Sequence, residues 1–311
     1  MLAHTLEHTV APAEAGATVL TLACALAGTT GEHIVAHGGA WLNGRRVSGT
    51  AQVTSGATLA LHLPPDGAYP DLTLTPADLA YEDTWLVALH KRAGWYVGAT
   101  PWDQYGNVLA ALERYFLTRD GVTPPLHLAH QLDRDTSGVL LCSKAPAANA
   151  PLQAAFAGRR VAKRYLGLCA GAPPWATYDL QTGHGRAAGG RWRVYPLATV
   201  GLVLPAGGGR VRVAHTVFVV VAHLTDATLV TAVLHTGRTH QIRLHLAHLG
   251  HPLLGDARYG GPTHYGGHDL SGQFLHAAEL HLAHPITGVP LVLTSPLPPH
   301  FQALLGGGWP A

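Results

Sequence analysis

The chain has 311 residues, of which 47% are hydrophobic, 12% charged and 7% aromatic, with 20 Lys+Arg against 18 Asp+Glu. This describes a soluble globular protein at or above the size where one core tends to split, so a large domain with a small companion is expected. No apolar run approaches the roughly 18 residues that a membrane span needs, and MLAHTLEHTV lacks the basic-then-apolar order of a secretory signal. Cys24, Cys142 and Cys169 are odd in number and without metal-site spacing, which points to a reducing compartment and no disulfide partner. A cytoplasmic protein is the expectation.

A net charge of +2 does not by itself suggest a nucleic-acid binder. The distribution says more. Residues 1–80 set Arg45 and Arg46 against Glu7, Glu14, Glu32, Asp66, Asp71 and Asp78, netting −4, whereas residues 81–311 net +6. Any anionic partner should meet the second part.

In chain order, the periodicity of Val19, Leu22 and Leu26 predicts a helix over 15–27, followed by a segment at 33–37. Asn43-Gly44 between Trp41-Leu42 and Val47 signals a tight turn, and TLALHLP reads as a strand. Pro64-Pro65-Asp66-Gly67, with Pro70 and Pro76 beyond, reads as a linker over 67–80. From Tyr81 short β-rich runs take over. Strands are expected at 84–91, 138–144 and 164–171, helices at 107–116 and 147–158, and an antiparallel pair at 215–224 and 227–235 turning at Thr225-Asp226. The Gly-rich stretches 183–191 and 206–209 read as loops, without the strand-to-helix context of a phosphate-binding fingerprint. The fold class is α+β: a catalytic domain over 81–311 with a mixed, largely antiparallel sheet flanked by helices and loops, preceded by a small α/β domain over 1–66.

Three segments carry candidate chemistry. In HLAHQLDRDTSGVLLCSK, Asp133 stands at the mouth of a strand beside the hydroxyls of Thr136 and Ser137. That position suits a nucleophile or general base, although Asp and Thr side chains bonding their own backbone in a turn give the same pattern. In HTGRTHQIRLHLAHLGHPLLGDARYG, Thr239 should cap a helix from His240 to about Leu249. Arg238, His240 and Arg243 would then gather at its N-terminus as a partner for a carboxylate or phosphate. His240, His245, His248 and His251 tempt a metal reading, but no His-Glu-x-x-His pattern or carboxylate accompanies them, and satisfied histidines are the better account. In RRVAKRYLGLCAG, Arg159, Arg160, Lys163 and Arg164 lead to Tyr165. This is either a solvated helix end or a backbone-tracking surface with a stacking platform.

Together these segments resemble the RluA family of pseudouridine synthases. The family's His-Arg-Leu-Asp-x-x-Thr-Ser-Gly corresponds to His130–Gly138, and its Lys-x-Tyr strand to Lys163 and Tyr165. Its Thr-Gly-Arg-Thr-His-Gln-Ile-Arg-x-His run corresponds to Thr236–His245, with Gly250–Pro252, Gly255–Gly260, Leu275–Ala277 and His284–Gly288 following in order. The N-terminal segment is similar to the S4-type RNA-binding domain, with Gly38–Gly44 matching its Gly-x-x-x-x-Asn-Gly pattern, but it carries little of the usual basic charge.

The resemblance implies cofactor-free isomerisation of uridine in ribosomal or transfer RNA on an extruded nucleotide. It implies Asp133 as the catalytic aspartate, Tyr165 stacking under the base and assisting loss of the C5 proton, and Arg243 pairing with the aspartate. His130, Gln131, Arg134, Thr136, Lys163, Arg238 and His240 are the expected substrate-binding residues. RNA is the expected partner, with no membrane and no metal, and a monomer is the simpler state. Two positions depart from the pattern: Gln131 replaces the family's Arg and lacks its charge and fork, and Arg92 replaces the Pro of the early Lys-Pro-x-Gly turn. The rival reading is a non-catalytic RNA-binding or RNA-folding protein on the same scaffold.

Overall fold

The computed structural model describes residues 5–205 and 208–306, which form two compact units. The first comprises residues 5–75 with Trp95–Pro124 and the second Pro76–Gly94 with 125–306.

In the first unit, strands β1 (Thr5–Thr9), β2 (Ala40–Leu42), β3 (Arg45–Arg46) and β4 (Thr58–His62) form an antiparallel sheet in the order β1-β4-β2-β3. The β2-β3 connection is the expected two-residue turn, with Asn43 and Gly44 both at positive φ, as a type I′ hairpin requires. Helix α1 (Val19–Ala36) is capped by Thr18, whose hydroxyl accepts from the Thr21 amide, and breaks at Gly28 (φ 57°). Residues 15–27 and 33–37 thus lie on either side of one kink. Gly31 folds back so closely that a Cβ would stand 2.0 Å from the Ala23 carbonyl oxygen. By length and composition α1 passes as a membrane span, which the sequence reading did not anticipate. Val19, Leu22, Ala23 and Ile34 nevertheless pack into a core with Ala40, Val53, Leu59 and Leu61.

Helix α2 (Val108–Asp120), capped by Asn107, falls in this unit rather than in the second domain where the sequence placed it. The reason is a set of hydrogen bonds from 95–124 to the first 75 residues. Trp41 Nε1 donates to the Pro101 carbonyl at 2.8 Å, the Gln104 amide to the His37 carbonyl at 3.0 Å, and Arg114 Nη2 to the Leu72 carbonyl at 2.9 Å. The proposed linker 67–80 is structured too. Leu72 and Leu74 are buried, and Asp78, buried in the second unit, is ion-paired to Arg92 at 2.7 Å. Proline density there marks irregular backbone, not an unpacked tether.

The second unit is built on one large sheet. Its strands are β5 (Leu79–Glu82), β6 (Leu86–Lys91), β7 (His127–Leu128), β8 (Ser137–Ser143), β9 (Ala162–Ala170), β10 (Thr177–Arg186), β11 (Trp192–Tyr195), β12 (Arg212–Leu224), β13 (Ala227–Leu234), β16 (Leu275–Ala283) and β17 (Pro290–Thr294), while β14 (His264–Tyr265) and β15 (His268–Asp269) pair separately. The order is β11-β10-β12-β13-β9-β16-β8-β6-β5, with β17 beside β16 and β7 beside β8. All pairs are antiparallel except β8 with β16, where His276 lies opposite Ser137. Helices α3 (Pro146–Ala157), α4 (Gln241–His248) and α5 (Pro299–Leu304) complete it. The fold is α+β with a large, mostly antiparallel sheet and few helices.

Two further expectations fail. The segment 183–191 is not all loop, because residues 183–186 continue β10. Gly183 and Gly185 are there for close packing, since added Cβ atoms would stand 2.8 Å from the Val211 and Leu204 side chains, a use of glycine that strands share with turns. Part of the 206–209 stretch lies outside the described residues. Thr239 does not cap α4. The cap position is His240, which adopts a left-handed conformation (φ 56°) with no side-chain cap bond.

Candidate active site

The parallel β8-β16 pair sets the position of the Asp133 loop. Gly138, at φ 114°, lies so close to β16 that a Cβ would stand 2.1 Å from the Ala277 carbonyl oxygen. Just upstream, the Thr136 amide donates to the Asp133 carbonyl at 3.1 Å, closing a turn. The Lys91 ammonium, 1% exposed, donates to the carbonyls of Arg92, Arg134 and Thr136 at 3.1, 2.7 and 2.8 Å. Burial lowers its pKa to about 7. Gln273 donates to the Thr136 hydroxyl at 3.2 Å, and the Ser137 hydroxyl meets His276 Nδ1 at 2.9 Å. The loop is therefore a turn, but its first carboxylate bonds elsewhere.

Asp133 Oδ2 accepts from Arg243 Nη1 at 2.9 Å. The other side of the guanidinium is a two-point bond to Asp256, Nε to Oδ2 at 2.7 Å and Nη2 to Oδ1 at 2.8 Å, with the Asp256 side chain 1% exposed. Burial works against the Arg243 charge, yet the bonds and charge of Asp256, followed by those of Asp133, raise its pKa above the ordinary value. Such fork-to-carboxylate geometry fixes orientation as well as charge. Arg243 is thus committed to two carboxylates of the protein. Arg238, His240 and Arg243 do line one small recess with Asp133, but of the two arginines only Arg243 bonds that carboxylate.

Asp133 Oδ1 has no donor within hydrogen-bond distance among the described residues, its nearest being His240 Nε2 at 3.7 Å. His240 Nδ1 meets the Tyr259 hydroxyl at 2.7 Å, and the Tyr259 ring lies under Arg243 at 5.1 Å. Burial lowers the His240 pKa, with Arg243 acting in the same direction and Asp133 opposing.

Asp133 lines a cavity of about 480 Å³ together with His130, Gln131, Lys163, Tyr165, Arg238 and His240. Lys163 and Tyr165, two apart on β9, share a face, and Arg164 points away to Glu279 at 3.2 Å. Tyr165 is 7% exposed; burial, then the Asp133 charge, push its pKa above the ordinary phenol value, so it stays a neutral ring. Lys163 has no carboxylate partner among the described residues, and burial, then the charge of Arg238, lower its pKa. Arg159, left-handed at φ 58° just after α3, also borders the cavity. Arg238 Nε donates to the Val213 carbonyl at 3.1 Å. A lone carboxylate thus shares the cavity with three cations.

Of the expected substrate contacts, Arg134 and Thr136 do not line this cavity, while His130 lines it and is bonded within the protein. Arg134 pairs with Asp135 at 2.7 Å and does not line it. Thr136 is buried and reaches only a smaller recess of about 70 Å³ beside Asp133 and Arg243. His130 stacks on Phe156 and accepts from the Leu141 amide at 3.1 Å. Gln131 is exposed at the cavity wall. His245 is held by the hydroxyls of Thr216 and Thr182 at 2.9 and 3.0 Å. The sequence reading assigned no role to Asp256 or Tyr259, although both stand in the quoted Gly255–Gly260 motif.

The pattern of the RNA pseudouridylate synthase family matches residues 85–248, a span that contains Asp133, Tyr165 and Arg243. The chain is 38% identical over 260 residues to "RNA pseudouridine synthase 1" of Oryza sativa subsp. japonica, covering 71% of this chain and 73% of that one. The chain belongs to the RNA pseudouridylate synthase family. It is 33% identical over 240 residues to "Ribosomal large subunit pseudouridine synthase D" of Zymomonas mobilis, covering 74% and 72%. In fold it is similar to "Human RNA Pseudouridylate Synthase Domain Containing 4", with a TM-score of 0.59 and 22% identity over 73% of this chain and 91% of that one. The protein is an isomerase, an RNA pseudouridine synthase, and in this synthase residues of three matched segments, Asp133, Tyr165 and His240 among them, line one cavity.

Proposed function

We propose that this pseudouridine synthase acts on uridines of ribosomal or transfer RNA, with Asp133 as the reacting carboxylate and no cofactor. The observation that carries the reading is the Asp133-Arg243-Asp256 chain, whose Asp133 stands at the wall of a cavity where the other charged lining residues, Arg159, Lys163 and Arg238, are cations. Asp256 holds Arg243, Arg243 holds Oδ2 of Asp133, and Oδ1 remains for the ribose.

Isomerisation breaks N1–C1′, turns the uracil, and forms C5–C1′; the C5 proton leaves and the departed N1 gains one. Every heavy atom is retained and nothing is oxidised. Asp133 serves either by attacking C1′ or by taking the C2′ proton, since both need an ionised, oriented oxygen. Tyr165, neutral and buried, provides a flat surface for the extruded base, while Lys163, Arg159 and Arg238 take its phosphates. Gln131 lacks the charge of the family's usual Arg, so extrusion rests more heavily on those three.

The first unit we read as an S4-like module with a weakened hold on RNA. Of its two early arginines, Arg46 donates to the Thr100 carbonyl and to Gln104 Oε1 and lies 5.2 Å from the Trp41 ring, so Arg45 is left for phosphate. The buried free thiols Cys142 and Cys169, both raised to about 12 by burial, fit a reducing, cytoplasmic setting.

The test is tritium release from RNA labelled at uridine C5. Wild type should release label in step with pseudouridine formation, and Asp133→Asn should be slower by roughly 10²–10⁴-fold while binding the same RNA. A wild type that binds RNA and releases no tritium would favour the non-catalytic reading.

A further inference from the structure

The chain's charge is thin, yet Arg186, Arg191, Arg193, Arg210 and Arg212 stand together in sequence, and no Asp or Glu occurs between Asp179 and Asp226. All five side chains belong to exposed residues, and none has a carboxylate partner among the described residues. They lie in and around the β10-β11-β12 edge of the sheet, in and beside the glycine-rich stretches.

The register sorts them by face. Arg186 lies opposite Trp192, and His184 lies opposite both Val194 and Arg212. Directly paired residues, and residues two apart on one strand, share a face. Arg186, Trp192 and Arg212 are therefore on the face that carries His184 and Thr182. Thr182 bonds His245 of α4, so this is the face of the catalytic helix. Arg193, opposite Gly185, is on the other face.

Two observations link this patch to the cavity and to a ligand. Arg238, at the cavity wall, has its pKa lowered by burial and then by the charges of Arg212 and Arg159, so Arg212 on β12 and Arg159 at the cavity act on the same guanidinium. His184, 2% exposed and stacked on Trp192 at 5.1 Å, has no hydrogen-bond partner on either ring nitrogen. Buried polar atoms in native proteins are rarely left so. A ribose hydroxyl or base edge would supply such a partner if its binding opened the site, since both ring nitrogens are closed to solvent.

We propose that Arg186, Trp192 and Arg212 form a track for the single-stranded RNA that flanks the target uridine, with the arginines on phosphates and the indole stacked on a base. The chemistry is that of sequence-tolerant single-strand binding, a cationic path with an aromatic platform. The proposal rests on the RNA-modifying reading and extends it beyond the nucleotide in the cavity.

The test is binding of the full chain to a single-stranded oligouridylate of about 20 nucleotides over a salt series. Relative to wild type, R186Q/R212Q should weaken binding about tenfold and flatten the slope of log K against log salt by about 1.4, the value for two phosphate contacts on a single strand. W192A should weaken binding about fivefold or more and leave the slope unchanged. On substrate RNA the double variant should raise KM and keep kcat. R164Q, exposed and already paired with Glu279, should change neither quantity. Unchanged affinity and slope in R186Q/R212Q would overturn the proposal, as would an equal loss in R164Q. Should the double variant fail to fold by circular dichroism, R186K/R212K replaces it and must keep the slope while losing affinity; a slope that collapses with the charge retained would count against the track. Because binding is read without turnover, a wild type that binds through these residues and makes no pseudouridine would refute the catalytic reading alone.

Discussion

The two units carry opposite charge balances. The first holds four basic residues against eight acidic ones, and the second sixteen against ten. In the first, Arg46 and Arg114 donate to backbone carbonyls and act as struts. In the second, Lys163 and the arginines of the β10-β11-β12 edge meet no carboxylate among the described residues, whereas the Arg243 guanidinium bonds two carboxylates and orients Asp133. A net charge of +2 averages an acidic unit with a basic one that carries, beside its structural ion pairs, a group of cations without carboxylate partners among the described residues.

The sharpest way to break this comparison is to remove one guanidinium from each unit. Arg243→Leu leaves Asp256 buried and unpaired, and unpairing a buried ion costs about 3–5 kcal/mol, so urea unfolding should show a large loss of stability along with lost activity. Arg46→Gln removes neutral-acceptor bonds at a half-exposed site and should cost about 1 kcal/mol. Equal losses would contradict the distinction between a buried ion network and a strut.

Acid should find the second unit first. His184, His245 and His276 are each below 2% or at most 2% exposed, and burial pushes them to about 4, 3 and 4. Their unfolded pKa is about 6.5, so between about pH 6.5 and 4 the unfolded chain binds protons that the folded chain does not. Stability from these residues is fully present above pH 6.5 and is lost as pH falls, with a slope approaching about three protons per molecule. Chemical denaturation at pH 7 and pH 5 measures it, and a flat profile would refute the burial argument.

Smaller effects sharpen the same contrast. Gln131→Arg adds a fork at the cavity wall and should lower KM by about threefold to tenfold with kcat unchanged. Arg45→Gln, the first unit's one early arginine left for phosphate, should flatten the salt slope by at most about 0.7. A larger change from Arg45 than from Gln131 would mean that the first unit carries the RNA.

Much of this was legible in the sequence, for identifiable reasons. The β12-β13 hairpin, turning at Asp226 with φ 56°, announced itself by two apolar runs around a polar pair. The Asn107-capped α2 announced itself by its periodicity. Strand β10 was hidden because Gly183 and Gly185 look like loop residues until the side chains of Val211 and Leu204 are seen against them. The start of α4 was misplaced because Thr239 has cap chemistry while His240 takes the special backbone. Asp133 and Arg243 could be named from motifs 110 positions apart. What no pattern revealed was that Asp256 occupies most of the Arg243 fork, because that bond is a fact of packing. Membership of α2 in the first unit was likewise invisible, since it depends on hydrogen bonds such as Trp41 to Pro101 across 60 positions.

We propose Asp133 as the carboxylate that converts uridine at specific RNA positions. The direct measurement is a pseudouridine map of total RNA from a strain lacking this protein, complemented with wild type or Asp133→Asn. The account predicts that at least one ribosomal or transfer RNA site disappears on deletion, returns with wild type, and stays absent with Asp133→Asn despite normal protein levels. A map unchanged by deletion, or a site restored by the Asn variant, would contradict it.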